Sequence, residues 1–375
     1  MRSLAAILLC CLAAAASAVA AVSAGAEPQS KIAVAADGRG FVETKSGKAF
    51  FPWGMNYGHG GRFMEDFWDT DWETLAKDFR DLRAMGANVV RVHLQFGRFM
   101  AGPAAPRQDA LRQFERLVQL ATEVGICLDV TGLACYRPAD VPAWYDALDE
   151  PGHWSAQANF WAAIARAGAG QPAIFCYDLM NEPISPSQKR EAGRWRSGQL
   201  FGGYDFVQYI ALEPAGRSRD KIVAQWLEKM IGAIRLHDST TLITVGLLPW
   251  SEKWKHLSGF VPEKVAPPLD FISVHLYPRK DQPAEAMEAL RHAAIGRPVV
   301  IEEVFPLHCG VDELEAFLRD SRALACGWIG HYDGLPPREA EALQQAGRLT
   351  LSQAVYLSFA RLFIGLGPEF TGRKD

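Results

Sequence analysis

The feature that most constrains the fold is a regular alternation between short apolar runs and segments of helical periodicity. Continuously apolar strands that alternate with helices are typical of a parallel sheet whose outer face is covered by helices. The pattern therefore predicts an α/β protein. The apolar runs are 50–56, 88–94, 126–132, 173–180, 241–248, 270–278, 297–305 and 327–332, and the helical segments are 110–125, 155–170, 221–238, 283–296, 311–327 and 351–367.

Eight units of this kind favour a closed barrel over an open doubly wound sheet. An open sheet usually places a glycine-rich phosphate turn and a helix directly after its first strand. The stretch GMNYGHGGRF at 54–63 is rich in glycine, but no clear helix start follows it and no acidic residue ends the next run. We therefore predict a single (β/α)8 TIM barrel. Short strands broken by the turns DGRG and SGK predict a β-hairpin at its N-terminal side.

The first 26 residues have the pattern of a signal peptide. Arg2 is followed by a long apolar run, and the small residues Ala24–Ala26 offer a cleavage site. A retained membrane anchor is the alternative for this segment. The preferred interpretation predicts an exported protein, periplasmic or extracellular, with the catalytic barrel over residues 27–375.

Charge and cysteine content limit the partners. The formal net charge is −4 and no basic block occurs, which argues against binding to nucleic acid. Five cysteines follow the signal segment, and none forms a CxxC pair, so the usual zinc signature is missing. We expect no metal and no cofactor, no membrane contact after signal removal, and a monomer.

Polar side chains are concentrated at the ends of the apolar runs. In a parallel barrel the carboxyl ends of the strands surround the active site. Charged residues are costly in a barrel core unless they are paired or functional, so these positions are candidate site residues. They are Arg91 and His93 in the second run, Asn181 and Glu182 in the fourth, His275 and Tyr277 in the sixth, and Glu302 and Glu303 in the seventh.

Two carboxylic acids that face each other across a barrel mouth suit the cleavage of a glycosidic bond. Pro183 would direct the chain out of the strand and hold Glu182 at the rim, and the amide of Asn181 can bind a sugar hydroxyl. Arg91 would keep a nearby carboxylate ionised. Because side chains alternate along a strand, only one of Glu302 and Glu303 should point inward, and parity alone does not choose between them.

Four of these motifs, in this order, resemble those of clan A glycoside hydrolases, and within the clan those of family 5, which contains cellulases and mannanases. NVVR carries the family arginine at Arg91, NEP the acid/base at Glu182, and HLY the pair His275 and Tyr277. PVVIEEVF aligns Glu303 with the family nucleophile. The resemblance implies a retaining mechanism with the two carboxyl groups about 5–5.5 Å apart. It also implies that Tyr277 bonds the nucleophile and that His275 lines the catalytic subsite.

Two positions depart from the family pattern. Thr131 closes the third run where the family usually has histidine, and His331 and Tyr332 close the eighth where it usually has tryptophan. We expect His331 to contact the substrate. Aromatic side chains stack on sugars, and Trp250, just after the fifth run, is the preferred candidate. The other tryptophans near predicted loops are Trp68, Trp72, Trp144, Trp154, Trp195 and Trp254.

The predicted function is hydrolysis of a β-linked oligo- or polysaccharide, of mannan or glucan type, by double displacement. The long segment from Ser185 to Arg219 follows the acid/base directly and is expected to cover the cleft. One alternative is a catalytically impaired carbohydrate-binding barrel. Another is a metal-dependent hydrolase that uses His93, His275 and Glu303, although these residues form no compact ligand motif.

Overall fold

Eight parallel strands form a closed barrel in the computed structural model, which describes residues 29–198 and 202–372. Each strand pairs with its neighbours in chain order, and the eighth strand pairs with the first. This confirms the predicted (β/α)8 barrel. The predicted signal peptide, residues 1–26, lies outside the described residues. The strands are β1 (Trp53–Gly58), β2 (Val89–Gln95), β3 (Cys127–Ala134), β4 (Ile174–Asn181), β5 (Leu242–Leu247), β6 (Ile272–His275), β7 (Val299–Glu303) and β8 (Gly327–Asp333).

Helices cover the outside of the barrel and follow each strand. Among the eight principal helices, the one after β5 is a single turn, whereas the other seven run for 11 residues or more. They are α1 (Trp72–Ala84), α2 (Gln108–Val124), α3 (Glu150–Gly168), α4 (Arg219–Arg235), α5 (Pro262–Val265), α6 (Pro283–Ala293), α7 (Val311–Ser321) and α8 (Leu351–Thr371), with additional helices at Phe96–Phe99, Ala143–Asp146 and Pro337–Gln345 and 3-10 turns at Met64–Asp66 and Pro138–Asp140.

The sequence analysis missed α1, although its pattern is readable. The carboxylate of Asp71 accepts a hydrogen bond from the backbone N–H of Thr74, which is the bond expected of a helix cap. Leu75, Phe79 and Leu82 then bury one face at spacings of four and three residues. Charged residues such as Lys77, Arg80 and Asp81 interrupt this apolar period in the sequence and make it hard to recognise.

An antiparallel sheet closes the end of the barrel where the strands begin. Its strands are Ile32–Val34, Phe41–Glu43 and Ala49–Phe50, so the predicted hairpin is present with a third short strand added. The ring of Phe41 packs edge-on against Phe175 and Phe271, with centroids 5.1 and 5.2 Å away. These two residues lie at the start of β4 and just before β6, so the sheet plugs the end of the barrel opposite the carboxyl ends of the strands.

Two further features of the described residues are the state of the cysteines and the apolar character of the helices. The five cysteines within the described ranges are free thiols, and four of them are buried. No helix among residues 29–198 and 202–372 combines the length and apolar character needed to cross a bilayer.

The described loops also contain two short two-stranded sheets. They pair Met100–Gly102 with Ala105–Pro106 and Pro183–Ile184 with Gln208–Tyr209.

Candidate active site

The guanidinium of Arg91 is the centre of a buried network inside the barrel mouth. Its side chain is fully buried. Nη1 donates to Oε1 of Glu303 at 2.7 Å and to Oδ1 of Asn56 at 2.8 Å. Nη2 donates to Oδ2 of Asp178 at 2.7 Å and to Oδ1 of Asn181 at 3.0 Å. These bonds connect four strands, β1, β2, β4 and β7. Because the guanidinium is buried, it acts on a substrate indirectly, by positioning the side chains that it binds.

Glu303 ends β7 and has both carboxylate oxygens engaged. Arg91 donates to Oε1, and the hydroxyl of Tyr277 donates to Oε2 at 2.5 Å. Burial favours the neutral acid, but the charges of His275 and Arg91 outweigh it and hold the pKa of Glu303 well below its usual range. The side chain is 12% exposed. Glu303 is therefore an ionised, oriented carboxylate that a substrate can still reach.

Glu302 also points into the barrel, contrary to the expectation from strand parity. The register between β6 and β7 shifts, because Val274 pairs with Ile301 and His275 with Glu303. Glu302 is thus the extra residue of a β-bulge, which allows successive side chains to face the same side. Its carboxylate is completely buried and accepts a hydrogen bond from the hydroxyl of Ser273 at 2.9 Å. Glu302 lies beneath the rim, whereas Glu303 lies at it.

Glu182 follows β4 in a strained backbone conformation. Its φ is +46°, in the left-handed region that non-glycine residues seldom adopt. Its backbone N–H donates to the carbonyl of Gly246 on β5 at 2.9 Å. Pro183 then begins a two-residue strand that pairs with Gln208–Tyr209. These bonds turn the chain away from the barrel directly after the acid and hold the Glu182 side chain, 14% exposed, at the rim.

His275 lies between the acids. Nδ1 is 3.0 Å from Oε1 of Glu182 and 3.5 Å from Oε2 of Glu303, and Nε2 is 3.4 Å from Oε2 of Glu302. Burial by itself lowers the pKa of an imidazole, but here the charge of Glu303 and the hydrogen bonds to Glu182 and Glu302 raise the pKa of His275 to about 10. Because both ring nitrogens face carboxylates, the geometry fits an imidazolium that donates from each.

Tyr277 and His331 complete the surroundings of Glu303. The hydroxyl of Tyr277 is 3.0 Å from Nε2 of His331. That hydroxyl has one hydrogen, which it gives to Glu303, so Nε2 of His331 must be the donor to Tyr277. Burial lowers the pKa of His331, which favours the neutral ring with its proton on Nε2. The eighth strand therefore supports the carboxylate of Glu303 through a histidine–tyrosine pair.

The position that departs from the family pattern on β3 has a clear role. The hydroxyl of Thr131 donates to Oδ2 of Asp178 at 2.7 Å, the same oxygen that accepts from Arg91. Oδ1 of Asp178 accepts from the backbone N–H of Gly246 at 2.7 Å. A Cβ added to Gly246 would lie 2.9 Å from Nε2 of His275 and 3.1 Å from Nη2 of Arg91. Only glycine, which has no Cβ, leaves room at position 246 for the side chains of His275 and Arg91.

Sequence reasoning missed Asn56 and Asp178 as members of the site. Asn56 makes four hydrogen bonds: its Nδ2 donates to the carbonyls of Glu302 and Gly330, and its Oδ1 accepts from Arg91 and His93. The signal available for both was a polar side chain within an apolar run, in FFPWGMN and in YDLMNEP. Asn181 does lie at the site, where its amide bonds Arg91 and the carbonyl of Phe206.

Four of the candidate tryptophans pack against other groups of the protein. Trp250 packs edge-on against His292 of α6, with the ring centroids 4.8 Å apart. Trp68, Trp154 and Trp195 are buried. Besides Tyr277, aromatic residues that adjoin the site include Tyr136, whose hydroxyl is 2.7 Å from Nδ1 of His93, and Phe206, whose ring packs on Tyr136 with centroids 5.0 Å apart.

Two groups of side chains have ligand atoms close enough to share a cation. One oxygen each of Glu182 and Glu303 and a ring nitrogen of His275 lie within 4.8 Å of one another, as do oxygens of Asp129, Asp178 and Glu302. In the first group Arg91 and Tyr277 already bond both oxygens of Glu303. In the second group the guanidinium of Arg91 already provides a positive charge to Asp178 and Glu302. His93, in the alternative metal reading, bonds Tyr136 and Asn56 through its two nitrogens.

A (β/α)8 barrel with paired acids after β4 and β7, held by an arginine on β2 and a His-x-Tyr on β6, defines a glycoside hydrolase of the barrel class. The family model described as cellulase (glycosyl hydrolase family 5) matches residues 45–304. The chain belongs to that family, is a glycoside hydrolase and acts on a carbohydrate. No curated protein matches the chain at a significant level.

Solved structures with the same fold include three that act on mannan-type substrates by their names. An exo-β-1,4-mannosidase from an Opitutaceae bacterium, strain TAV5, has a TM-score of 0.62 at 17% identity, over 89% of this chain and 63% of that one. A β-mannanase from the blue mussel Mytilus edulis has a TM-score of 0.60 at 15% identity, over 92% and 98%. A β-1,4-mannanase from the sea hare Aplysia kurodai has a TM-score of 0.59 at 15% identity, over 88% and 95%.

Proposed function

We propose that the protein is an exported, retaining β-glycosidase that cleaves a β-linked oligo- or polysaccharide of mannan type by double displacement. The observation that carries the mechanism is the closeness of the acids: a carboxylate oxygen of Glu182 and one of Glu303 lie within 4.8 Å of each other. This closeness fits the separation of about 5–5.5 Å between the carboxyl groups of retaining enzymes, whereas inverting enzymes leave about 6.5–9.5 Å for a water molecule.

In the first step Glu303 attacks the anomeric carbon and Glu182 protonates the glycosidic oxygen. A bond forms between the sugar and Oε of Glu303, the glycosidic bond breaks, and the leaving sugar departs as an alcohol. Arg91 and Tyr277 keep Glu303 ionised and fix its direction of attack. The hydrogen bond between Glu182 and His275 holds the acid toward the same space.

In the second step a water molecule replaces the leaving sugar. Glu182, now deprotonated, accepts a proton from this water as the water attacks the anomeric carbon. The bond to Glu303 breaks and the carboxylate is restored, with Arg91 and Tyr277 again stabilising its negative charge. Two inversions leave the sugar with its original configuration.

The choice of mannan over other β-linked glycans rests on the proteins that share the fold. The names of the three structures described above refer to β-mannan or β-mannoside substrates. All are under 20% identical to this chain, so the substrate is a proposal to be tested against gluco-configured chains. Export rests on the pattern of residues 1–26 and is tested by sequencing the N-terminus of the protein recovered outside the cytoplasm, which should begin at Glu27.

The test of the reaction is a panel of aryl β-mannosides and β-glucosides, together with β-mannan and β-glucan, assayed with the wild type and with variants of the acids. Both Glu182→Gln and Glu303→Gln should lose most activity while remaining folded. Proton NMR of the first product should show the β-anomer before mutarotation. Azide should restore turnover of an activated aryl glycoside in Glu303→Ala and yield a glycosyl azide of inverted configuration.

Glu302→Gln is the matched control, since it is the neighbouring acid and is completely buried. It should show no rescue by azide. Full activity in Glu303→Gln would refute the assignment of the nucleophile. If the wild-type enzyme cleaves nothing but binds these chains, the carbohydrate-binding alternative replaces the catalytic proposal.

A further inference from the structure

The loop after β4 reaches across the mouth of the barrel. We define the β4 loop as residues 185–198 and 202–218. The hydroxyl of Tyr204 in this loop donates to the carbonyl of Gly61 at 2.8 Å, and Gly61 lies in the loop after β1. In the barrel, β2 and β3 lie between β1 and β4. The β4 loop therefore spans the carboxyl ends of these two strands.

Four aromatic rings form the inner part of this crossing, and we call them the aromatic wall. They are Phe63, Tyr136, Tyr204 and Phe206. Each ring contacts two others: the centroid of Phe63 lies 5.7 Å from Tyr136 and 5.2 Å from Tyr204, and that of Phe206 lies 5.0 Å from Tyr136 and 5.5 Å from Tyr204. Loops after β1, β3 and β4 thus meet in one closed group of rings.

The aromatic wall lies directly against the catalytic residues. The carbonyl of Phe206 accepts from Nδ2 of Asn181, the residue before Glu182. The hydroxyl of Tyr136 bonds His93, which is two residues from Arg91 on β2. The side chains of Glu182 and Glu303 are only 14% and 12% exposed. On the side of β2 and β3, the space beside the acids is therefore filled by protein rather than open for further sugar units.

Several strong contacts hold the aromatic wall in place. The backbone N–H of Asp205 donates to the carbonyl of Tyr136 at 2.7 Å. The guanidinium of Arg137 lies 4.6 Å from the ring centroid of Phe63. Arg196 makes two bonds of 2.7 Å to the carboxylate of Asp146, in the loop after β3. The two sides of the crossing are joined by backbone, ionic and aromatic contacts at once, which is the arrangement of a fixed wall.

We infer that the substrate site is a pocket closed at one end by the aromatic wall, so that the enzyme acts on the ends of chains. A cleft that cleaves internal bonds must let the polymer continue on both sides of the two acids. The aromatic wall removes that continuation on one side. The enzyme then releases a short product of fixed length from a chain terminus. This inference rests on the proposed glycosidase function and adds to it the position of attack on the chain.

The first experiment compares bond cleavage with polymer length. Soluble β-mannan is digested, and reducing ends and viscosity are measured at the same times. Action at chain ends predicts a rise in reducing ends with little loss of viscosity, and a single small product from the start. The double variant Tyr204→Ala/Phe206→Ala opens the aromatic wall. The viscosity of the mannan that it digests should therefore fall at least three-fold faster per bond cleaved than with the wild type. Tyr209→Ala, on the same loop but stacked under Arg190, should behave as the wild type.

If the wild type lowers viscosity in step with reducing ends, the pocket inference is wrong while the glycosidase proposal stands. A second experiment works even without turnover. Glu303→Gln is titrated with β-1,4-mannohexaose that is untagged or carries a bulky fluorescent group at the non-reducing end, the reducing end or both. A closed pocket predicts at least ten-fold weaker binding for one of the singly tagged chains and for the doubly tagged chain. Equal affinity for all four chains overturns the inference.

Discussion

Replacement of Arg91 by methionine tests whether the buried network depends on one cation. Methionine has a similar length and makes no hydrogen bond, so the change removes the donors to Glu303, Asp178, Asn56 and Asn181 while it keeps most of the volume. Removing one partner of a buried ion pair leaves the other charge without compensation and costs about 3–5 kcal/mol. At about 1.36 kcal/mol per factor of ten, the equilibrium constant for unfolding should rise by roughly two to four orders of magnitude.

The size of this loss should depend on pH. In the wild type Arg91 lowers the pKa of Glu303 and of Glu302, so its contribution to the free energy of unfolding is present above the ordinary carboxylate range and is lost as pH falls through the depressed pKa values. In the variant the same acids become protonated at a higher pH, which relieves the unpaired charge. The difference between wild type and variant should therefore shrink when pH is lowered from 7 toward 4.

Urea denaturation of the chain at pH 7 and at pH 4.5 measures both effects. Arg217→Met is the matched control, because Arg217 also makes two bonds to one carboxylate, that of Glu150, but both side chains are about one-fifth exposed. A partly solvated pair of this kind contributes up to about 1 kcal/mol. If Arg91→Met costs no more than this control, or if its cost is the same at both pH values, the network does not depend on Arg91 as described.

Three further substitutions test separate parts of the structure. Tyr277→Phe removes a hydrogen bond to the charged form of Glu303, worth about 1.5–3 kcal/mol, so kcat/KM should fall ten-fold or more and the acid limb of its pH profile should move to higher pH; an unmoved limb would contradict the role of the hydroxyl. Gly246→Ala forces a methyl group against His275 and Arg91 and should reduce both activity and the urea midpoint, whereas Gly232→Ala, in α4 with open space around it, should raise stability by about 0.5–1 kcal/mol. Phe41→Ala should cost about 3–5 kcal/mol in unfolding free energy and leave kcat/KM of the folded enzyme unchanged, since Phe41 lies at the opposite end of the barrel; a large change in kcat/KM would show coupling between the two ends.

Much of the fold was predictable because each strand carries its own signal. The runs around Val89–Gln95 and Ile174–Asn181 are continuously apolar, as strands buried on both faces must be. The helix at Trp72–Ala84 was missed because charged residues are as numerous as apolar ones along it. Arg91, Glu182, His275, Tyr277 and Glu303 were predicted as site residues, and the structure brings all five together at the carboxyl ends of the strands.

The sequence by itself determined the order of strands and helices, the end of the barrel that holds the chemistry, and the residue types that converge there, because periodicity and strand ends are local properties of the chain. Only the tertiary structure decided that Glu302 and Glu303 both face inward, since a β-bulge depends on how β7 pairs with β6. It alone revealed that Asn56 and Asp178 hold Arg91, and that Tyr204 reaches Gly61 143 residues away in the chain. Contacts between distant segments follow from barrel closure and packing, and no local pattern records them.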